Sequence, residues 1–161
     1  MIGRDEINAS VGIFLGIGLV SFLADSWDDK LLLAPFGATS VIAFLVSDGE
    51  FAQPRNIVLG YILTSLVGTA TLYFIGVNWY AYALAVSLAM IAKSLFHAVH
   101  PPSAAMPIIL LHANANESIY EVLSYVFTEV LSGLLILVAV AIIYNRFILH
   151  KDYPFWCKYK R

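Results

Sequence analysis

Residues 97–105 of the chain read HAVHPPSAA, and they lie between two long apolar segments. Paired prolines and two histidines are unusual in such a position, because proline interrupts helical hydrogen bonding and an imidazole is polar. The composition sharpens the contrast, since 60% of the 161 residues are hydrophobic and only 12% are charged, with a mean hydropathy of +0.81. The polar surface available would not cover a water-soluble domain of this size. The sequence therefore predicts a membrane protein.

Four apolar runs are long enough to cross a bilayer, because each holds roughly the 17 to 25 residues that a transmembrane helix needs. They cover residues 7–24, 57–75, 79–96 and 122–144. Two shorter runs, LLLAPFGATSVIAFLV at 31–46 and AVHPPSAAMPIILL at 98–111, are interrupted by proline and small residues. Their length alone leaves two alternatives open, a crossing or a dip into the membrane and back.

The second half of the chain repeats the order of features in the first half with a shift of about 66 residues. PFGATS at 35–40 falls on PPSAAM at 101–106, and TSLVG at 64–68 falls on the helix that carries LSG at 131–133. With three crossings in each half, the second half enters the membrane from the opposite side to the first. The fold prediction is a single all-α polytopic membrane domain over residues 1–161. Its six membrane segments form two inverted three-segment repeats, at about 7–75 and 78–144, with two short broken half-helices meeting at mid-membrane.

The lysines and arginines distinguish the two topologies. With six crossings, eight of the nine lie on one side and only Lys30 lies on the other, whereas re-entrant short segments give a split of six to three. The positive-inside rule favours six crossings of the cell membrane, with the N- and C-termini in the cytoplasm. Aromatic residues collect where the opposite interface would lie: Trp27, Trp79, Tyr80 and Tyr120.

Residues 145–161, NRFILHKDYPFWCKYKR, form a basic tail with interleaved aromatic residues. We expect this cytoplasmic tail to be attracted to anionic membrane lipid, with a specific partner as the alternative. Nucleic acid is not indicated. The single cysteine, Cys157, cannot form an internal disulfide, and no ligand spacing typical of a metal site occurs.

Each broken segment is predicted as an extended entry followed by a half-helix, since proline disfavours helix in the residue before it and fits a helix's first turn. The first would be extended over 31–34 and helical from about 36 to 46. The second would be extended over 97–100 and helical from near Pro102. The two half-helix N-termini would then face each other at mid-membrane, where their unpaired N–H groups and dipoles attract an anion.

Small side chains at these starts would let an anion approach the backbone, and hydroxyls would add hydrogen bonds. The predicted substrate-binding residues are Phe36, Gly37, Ala38, Thr39, Ser40, His100, Pro102, Ser103, Ala104 and Ala105. The alternative is close helix packing, which small residues and prolines serve in many membrane segments. Broken segments in matching positions of both halves favour the functional interpretation.

Three motifs occur in order: PFGATS at 35–40, QPRN at 53–56 before a helix, and HPP at 100–102 after another. On these motifs the chain resembles the HPP family of integral membrane proteins, and the similarity covers nearly its whole length. Members in plastids and cyanobacteria are associated with nitrite transport, so the resemblance implies a small-anion carrier or channel. The chain departs from the family pattern at Ser103 and Ala104, where many relatives have two glycines, and this departure bears on the ligand rather than on the architecture.

Charged residues near the predicted pathway have more than one interpretation. Glu129 lies at hydrocarbon depth in the last helix, where it would carry protons, pair with a cation, or hydrogen-bond between helices while protonated. Lys93 is expected to snorkel to the interface, with a role in the ion pathway as the alternative. Arg55 either follows the positive-inside rule or raises the anion concentration at a cytoplasmic vestibule. His100 would lend the path a hydrogen bond or a titratable charge, whereas the prolines disfavour a metal pair with His97.

The predicted function is transport of a small monovalent inorganic anion, with nitrite first. No cofactor, metal site or enzymatic activity is expected, because Ser103 and His100 lack a nucleophile elbow and a matched acid. The small-residue faces permit a homo-oligomer, and a channel and a carrier both fit the pattern. Two alternatives stay open: a membrane sensor or scaffold with a regulatory anion site, and a proton or cation pathway that uses Glu129.

Overall fold

The computed structural model describes residues 3–27, 31–113 and 115–155, and no β-strand occurs in those ranges. The same ranges form six helices, namely α1 (Arg4–Trp27), α2 (Ala34–Leu45), α3 (Pro54–Ile75), α4 (Trp79–Leu95), α5 (Met106–Ala113) and α6 (Ile119–Ile148). By length and composition, α1, α3 and α6 can cross a membrane, whereas α2 and α4 are shorter apolar helices. The all-helical prediction is confirmed, and each of the four long apolar runs forms a helix, with α4 ending one residue early.

The first broken segment is extended up to Leu33, which has φ −113° and ψ 142°. Pro35 lies in the first turn of α2, where its missing N–H removes no helical hydrogen bond. The helix therefore starts at Ala34, instead of near Phe36 as predicted, and it ends at Leu45.

The second broken segment begins at His97, whose φ of +48° lies in a left-handed region that is uncommon outside glycine. His97 follows the end of α4 in a Schellman motif. The Ala98 N–H donates to the Lys93 carbonyl at 2.8 Å, and the His97 N–H donates to the Ser94 carbonyl at 3.1 Å. This motif ends α4 and leads into an extended residue, His100, with φ −131° and ψ 106°.

A 3₁₀ turn, Pro101–Ala105, separates His100 from α5. The half-helix predicted from near Pro102 therefore begins as a 3₁₀ turn and becomes α-helical only at Met106. A third proline, Pro107, explains this start. Pro107 has no N–H to donate to the Ser103 carbonyl, so the Met106 N–H donates to that carbonyl in the tighter turn.

Hydrogen bonds between helices show which helix ends lie together. Near the end of α6, the Tyr144 hydroxyl donates to the Asn8 carbonyl of α1 at 2.9 Å. The next residue, Asn145, donates from its side-chain amide to the Ala43 carbonyl of α2 at 3.0 Å. The start of α1, the end of α2 and the end of α6 therefore lie at one end of the bundle.

The chain beyond α6 packs against the loop between α2 and α3, residues 47–53. The Lys151 ammonium donates to the Ser47 hydroxyl at 3.1 Å, and the buried Tyr153 hydroxyl donates to the Ala52 carbonyl at 2.8 Å. Burial raises the pKa of the Tyr153 phenol, which keeps it a hydrogen-bond donor. This part of the predicted tail thus packs on the protein itself, while residues 156–161 lie outside the described ranges.

Two further hydrogen bonds show what lies beside each end of α3. The Arg55 guanidinium at the start of α3 donates to the Phe96 carbonyl beyond α4 at 3.1 Å. The Tyr73 hydroxyl near the end of α3 donates to the Glu117 carbonyl before α6 at 2.6 Å. We call the end at loop 47–53 the tail end and the end at Tyr73 the far end. Lys30, predicted alone on the far side, lies outside the residues that the structure describes.

Glycines bring the broken segments close to the long helices. Gly133 of α6 faces the carbonyl oxygen of Leu31, which a Cβ at that position would overlap. A Cβ on Gly60 of α3 would stand 3.0 Å from the Cβ of His100. Close packing, the alternative reading of the small residues, therefore applies to these glycines.

We predict that Gly133→Ala lowers the free energy of unfolding by about 1–3 kcal/mol, because the new methyl group forces backbone shifts in a well-packed interior. Thermal unfolding of the purified protein in detergent measures the effect. Gly18→Ala is the matched control, since a Cβ at Gly18 meets no atom within 4 Å. Equal losses in the two variants would contradict the proposed contact with Leu31.

Candidate functional site

A buried hydrogen-bond network joins the two broken segments. Thr39 Oγ1 of α2 lies 2.9 Å from His100 Nε2 and 2.8 Å from the Tyr61 hydroxyl of α3. All three side chains are fully buried. Because His100 is extended, its imidazole lies inside the bundle between α2 and α3.

The partners of the His100 imidazole determine which group donates and which accepts in each hydrogen bond of the network. His100 Nδ1 lies 2.7 Å from the carbonyl oxygen of Phe51, which can only accept, so Nδ1 carries a proton. In the neutral imidazole, Nε2 then accepts from the Thr39 hydroxyl, and the Thr39 oxygen accepts from the Tyr61 hydroxyl. Each polar group of the network therefore has a partner at a normal distance.

The backbone carbonyl of His100 attracts a second set of donors. The Lys93 ammonium of α4 lies 3.2 Å from this oxygen, and the Ser103 hydroxyl lies 2.8 Å from it. Lys93 is only 1% exposed, so the expectation that it snorkels to the interface is wrong. The extended backbone at His100 supplies an acceptor inside the bundle, and Lys93 points to that acceptor instead.

The Lys93 ammonium is not part of an ion pair in the described part of the chain. Its hydrogen bond goes to a neutral carbonyl, and no carboxylate among those residues forms an ion pair with it. Buried charges in proteins are normally paired, because removing an ion from water costs several kcal/mol. A lysine in this position is therefore suited to receive an anion.

Side chains make the contact between the two broken segments. We expected the free backbone amides at the two half-helix starts to line the site. Thr39 lies in the second turn of α2, whereas His100 immediately precedes the 3₁₀ turn. The Thr39–His100 contact thus joins the second turn of α2 to the residue before the 3₁₀ turn, and the first turn of α2, with its free amides, lies one turn away from it.

The other predicted binding residues have different environments. Phe36 is buried and packs edge-on against Tyr61, with 5.7 Å between the ring centroids. Ser40 is buried and donates to the Gly37 carbonyl at 2.7 Å. Gly37 and Ala38 are exposed on the outside of α2, so they are not brought to the network. Three residues of the 3₁₀ turn are half-buried: Pro102, Ala104 and Ala105.

A cavity of about 220 Å³ lies at the tail end beside the network. Its walls are formed by Glu50, Phe51, Asn56, Ser94, His97 and Val99. Phe51 connects the cavity to the network, because its carbonyl accepts from His100. Arg55 is exposed and donates to the carbonyl of His97 at 2.7 Å, so its guanidinium lies against the cavity wall and the end of α4.

Glu129 belongs to a different helix, α6. It is half-buried in a π-helical turn of α6, Val126–Val130, beside the ring of Tyr125. Neither this turn nor the second π-helical turn, Tyr144–Ile148, was predicted.

Comparison with known proteins gives the family. The family described as HPP, transmembrane region, matches residues 3–154. The chain belongs to the HPP transmembrane family. It is 36% identical over 160 residues to a transmembrane protein of Dictyostelium discoideum, covering 96% of this chain and 51% of that relative. It is 32% identical over 131 residues to another transmembrane protein of the same organism, covering 79% of this chain and 45% of that relative.

The chain of this HPP protein thus spans about half the length of these two relatives. No solved structure matches it. The match nevertheless includes both broken segments and all residues of the buried network. The membrane character and the family are therefore established for the part of the molecule that carries the candidate site.

Sequence reasoning missed two members of this HPP site, Tyr61 and the carbonyl of Phe51. A signal for Tyr61 exists in hindsight. It lies between Gly60 and Thr64 on α3, and a polar aromatic residue beside a glycine is a pattern expected where another segment packs closely. No pattern of side chains marks Phe51, because its contribution is a backbone carbonyl.

We predict that Thr39→Val lowers the free energy of unfolding by about 1–3 kcal/mol, since it leaves His100 Nε2 and the Tyr61 hydroxyl buried without their partner. Thermal unfolding in detergent again measures the effect. Thr71→Val is the matched control, because the Thr71 hydroxyl donates only within α3, to the Val67 carbonyl at 2.9 Å. If Thr39→Val is no less stable than Thr71→Val, the buried network does not hold the broken segments together.

Proposed function

We propose that this HPP protein moves a small monovalent anion across the membrane, with nitrite first among the candidates. Nitrite leads because the chain belongs to a family whose plastid and cyanobacterial members are associated with nitrite transport. The observation that carries the proposal is the buried Lys93 ammonium, which has a neutral carbonyl as its partner.

Lys93 supplies the attraction for an anion. An ammonium has three N–H donors, and one of them is directed at the His100 carbonyl. A small anion beside it would accept from another N–H and neutralise the buried charge. Charge-assisted hydrogen bonds of this kind contribute about 1.5–3 kcal/mol each, roughly twice a neutral one.

His100 supplies a second donor on the route from the cavity. Its Nδ1–H now donates to the Phe51 carbonyl, and Phe51 also lines the cavity at the tail end. An anion that enters from the cavity would replace this carbonyl as the acceptor of the Nδ1–H. Nitrite suits this exchange chemically, because each of its two oxygens can accept a hydrogen bond from an N–H donor.

The cavity itself carries charge of both signs. Glu50 on its wall disfavours anions, whereas the Arg55 guanidinium bonds the same wall at His97. The opposite charges offset each other near the mouth, so the ammonium of Lys93 is the main attraction further inside.

The inverted repeat is part of the proposal. In each half, the third helix packs a glycine against the broken segment of the other half. Gly133 of α6 faces Leu31, and a Cβ on Gly68 of α3 would stand 2.8 Å from the Cα of Pro107. This reciprocal packing supports two inverted three-segment units, and the bias of lysine and arginine supports a tail end in the cytoplasm of a cell-membrane protein.

Nitrite uptake into proteoliposomes tests the proposal, with Lys93→Gln as the diagnostic variant. Glutamine keeps an N–H donor for the His100 carbonyl but removes the charge, so we expect uptake to fall about tenfold or more, from the loss of one charge-assisted bond. Lys93→Arg should retain measurable uptake.

Lys151→Gln is the matched control, since it removes a cation that bonds the surface loop at Ser47. Its uptake should equal that of the wild type. If Lys93→Gln takes up nitrite at the wild-type rate, the buried ammonium does not have the proposed role. Nitrite binding without any uptake in the wild type would instead favour a sensor, and loss of uptake in Glu129→Gln with binding retained would indicate proton coupling.

A further inference from the structure

Hydroxyl groups continue from the buried network toward the far end along α3. Tyr61, Ser65, Thr69 and Tyr73 follow one another at intervals of four residues, so each side chain neighbours the next, and the row turns by about 120° around the helix from first to last. The row begins at the Thr39 contact and ends where Tyr73 bonds the far-end loop. It spans about 18 Å, which is more than half of the hydrocarbon thickness of a bilayer.

The two middle hydroxyls of this row, Ser65 Oγ and Thr69 Oγ1, are buried and have no hydrogen-bond partner among the described residues. Ser65 is 0% exposed and Thr69 is 5% exposed. Buried polar groups in proteins are nearly always bonded to protein, water or a ligand, so an unpartnered pair on one helix face points to something that binds there.

Other hydroxyls in these helices are satisfied locally. Thr71 and Ser87, for example, donate to the carbonyl four residues earlier, at 2.9 and 2.8 Å. The corresponding acceptor for Ser65 is the Tyr61 carbonyl, which already accepts from the Thr64 hydroxyl at 3.1 Å. Ser65 does not make this local bond, so its hydroxyl has no partner within its own helix.

We propose that Ser65 and Thr69 form a second binding station, at which the same small oxyanion accepts two hydroxyl hydrogen bonds in the far half of the path. This inference rests on the proposed anion transport and extends it beyond the network. The station is neutral, so it binds the anion more weakly than Lys93 does and allows release toward the far end. Conduction requires sites whose affinity is high enough for the anion to enter and low enough for it to leave.

The double variant Ser65→Ala/Thr69→Val tests the station. It removes both hydroxyls with little change in shape, and it removes unmet buried donors, so thermal stability should be equal to or higher than that of the wild type. We expect nitrite uptake into proteoliposomes to fall about tenfold, while equilibrium nitrite binding to the detergent-solubilised protein stays within about twofold, because the Lys93 site is intact. The matched control is Thr71→Val/Ser87→Ala, whose hydroxyls bond their own helices, and its uptake should equal that of the wild type.

Each outcome has a distinct meaning. Wild-type uptake in the double variant would overturn the station and leave the role of Lys93 untouched. A fall in osmotic water permeability with unchanged nitrite uptake would also overturn it, since the hydroxyls would then hold only water. Loss of both binding and uptake would contradict a separate station, and absence of nitrite uptake in the wild type would overturn the proposed function and this inference together.

Discussion

Two stretches of extended backbone inside an apolar helical bundle impose the constraint on which the rest of the structure depends. Extended backbone leaves N–H and C=O groups without regular helical partners, and an apolar environment offers no water in their place. The His100 carbonyl shows how the protein responds. It accepts from the Lys93 ammonium, the Ser103 hydroxyl and the Ser103 N–H, so the broken backbone accounts for the burial of polar side chains beside it.

The same constraint couples the tail-end surface to the interior. The loop carbonyl of Phe51 is the acceptor for the His100 imidazole, so the geometry of the buried network depends on the position of that loop. Gln53 fixes the loop, because its side-chain amide donates to the carbonyls of Ser47 and Gly49, each at 3.0 Å. A displacement of the loop would leave the imidazole N–H without its partner. The position of the loop and the geometry of the network are therefore coupled.

The helices could be predicted from the sequence because run length and proline position act locally. Pro35 and Pro54 each lie in a first helical turn, where proline fits, and the broken segments follow from the same rule. The site was harder to predict from the sequence, because the hydrogen-bond partners of its side chains are set by the backbone of other segments of the chain. Lys93 was expected at the interface because its own helix gives no reason for burial, and the acceptor that buries it exists only after the chain turns at His97. The inverted repeat and both termini in the cytoplasm stay predictions.

In the proposed anion path, the distribution of charge gives strong attraction for an anion in one half and weak attraction in the other. The Lys93 ammonium lies near the end of α4, close to the tail end, whereas the polar atoms of α3 toward the far end are hydroxyls. A second buried cation in the far half would hold an anion too firmly, and a purely apolar lining would exclude it. Neutral donors at one-turn intervals give an intermediate affinity, since each offers a hydrogen bond without the long-range attraction of a charge. On this proposal, the unpartnered hydroxyls of Ser65 and Thr69 keep donors available for the anion.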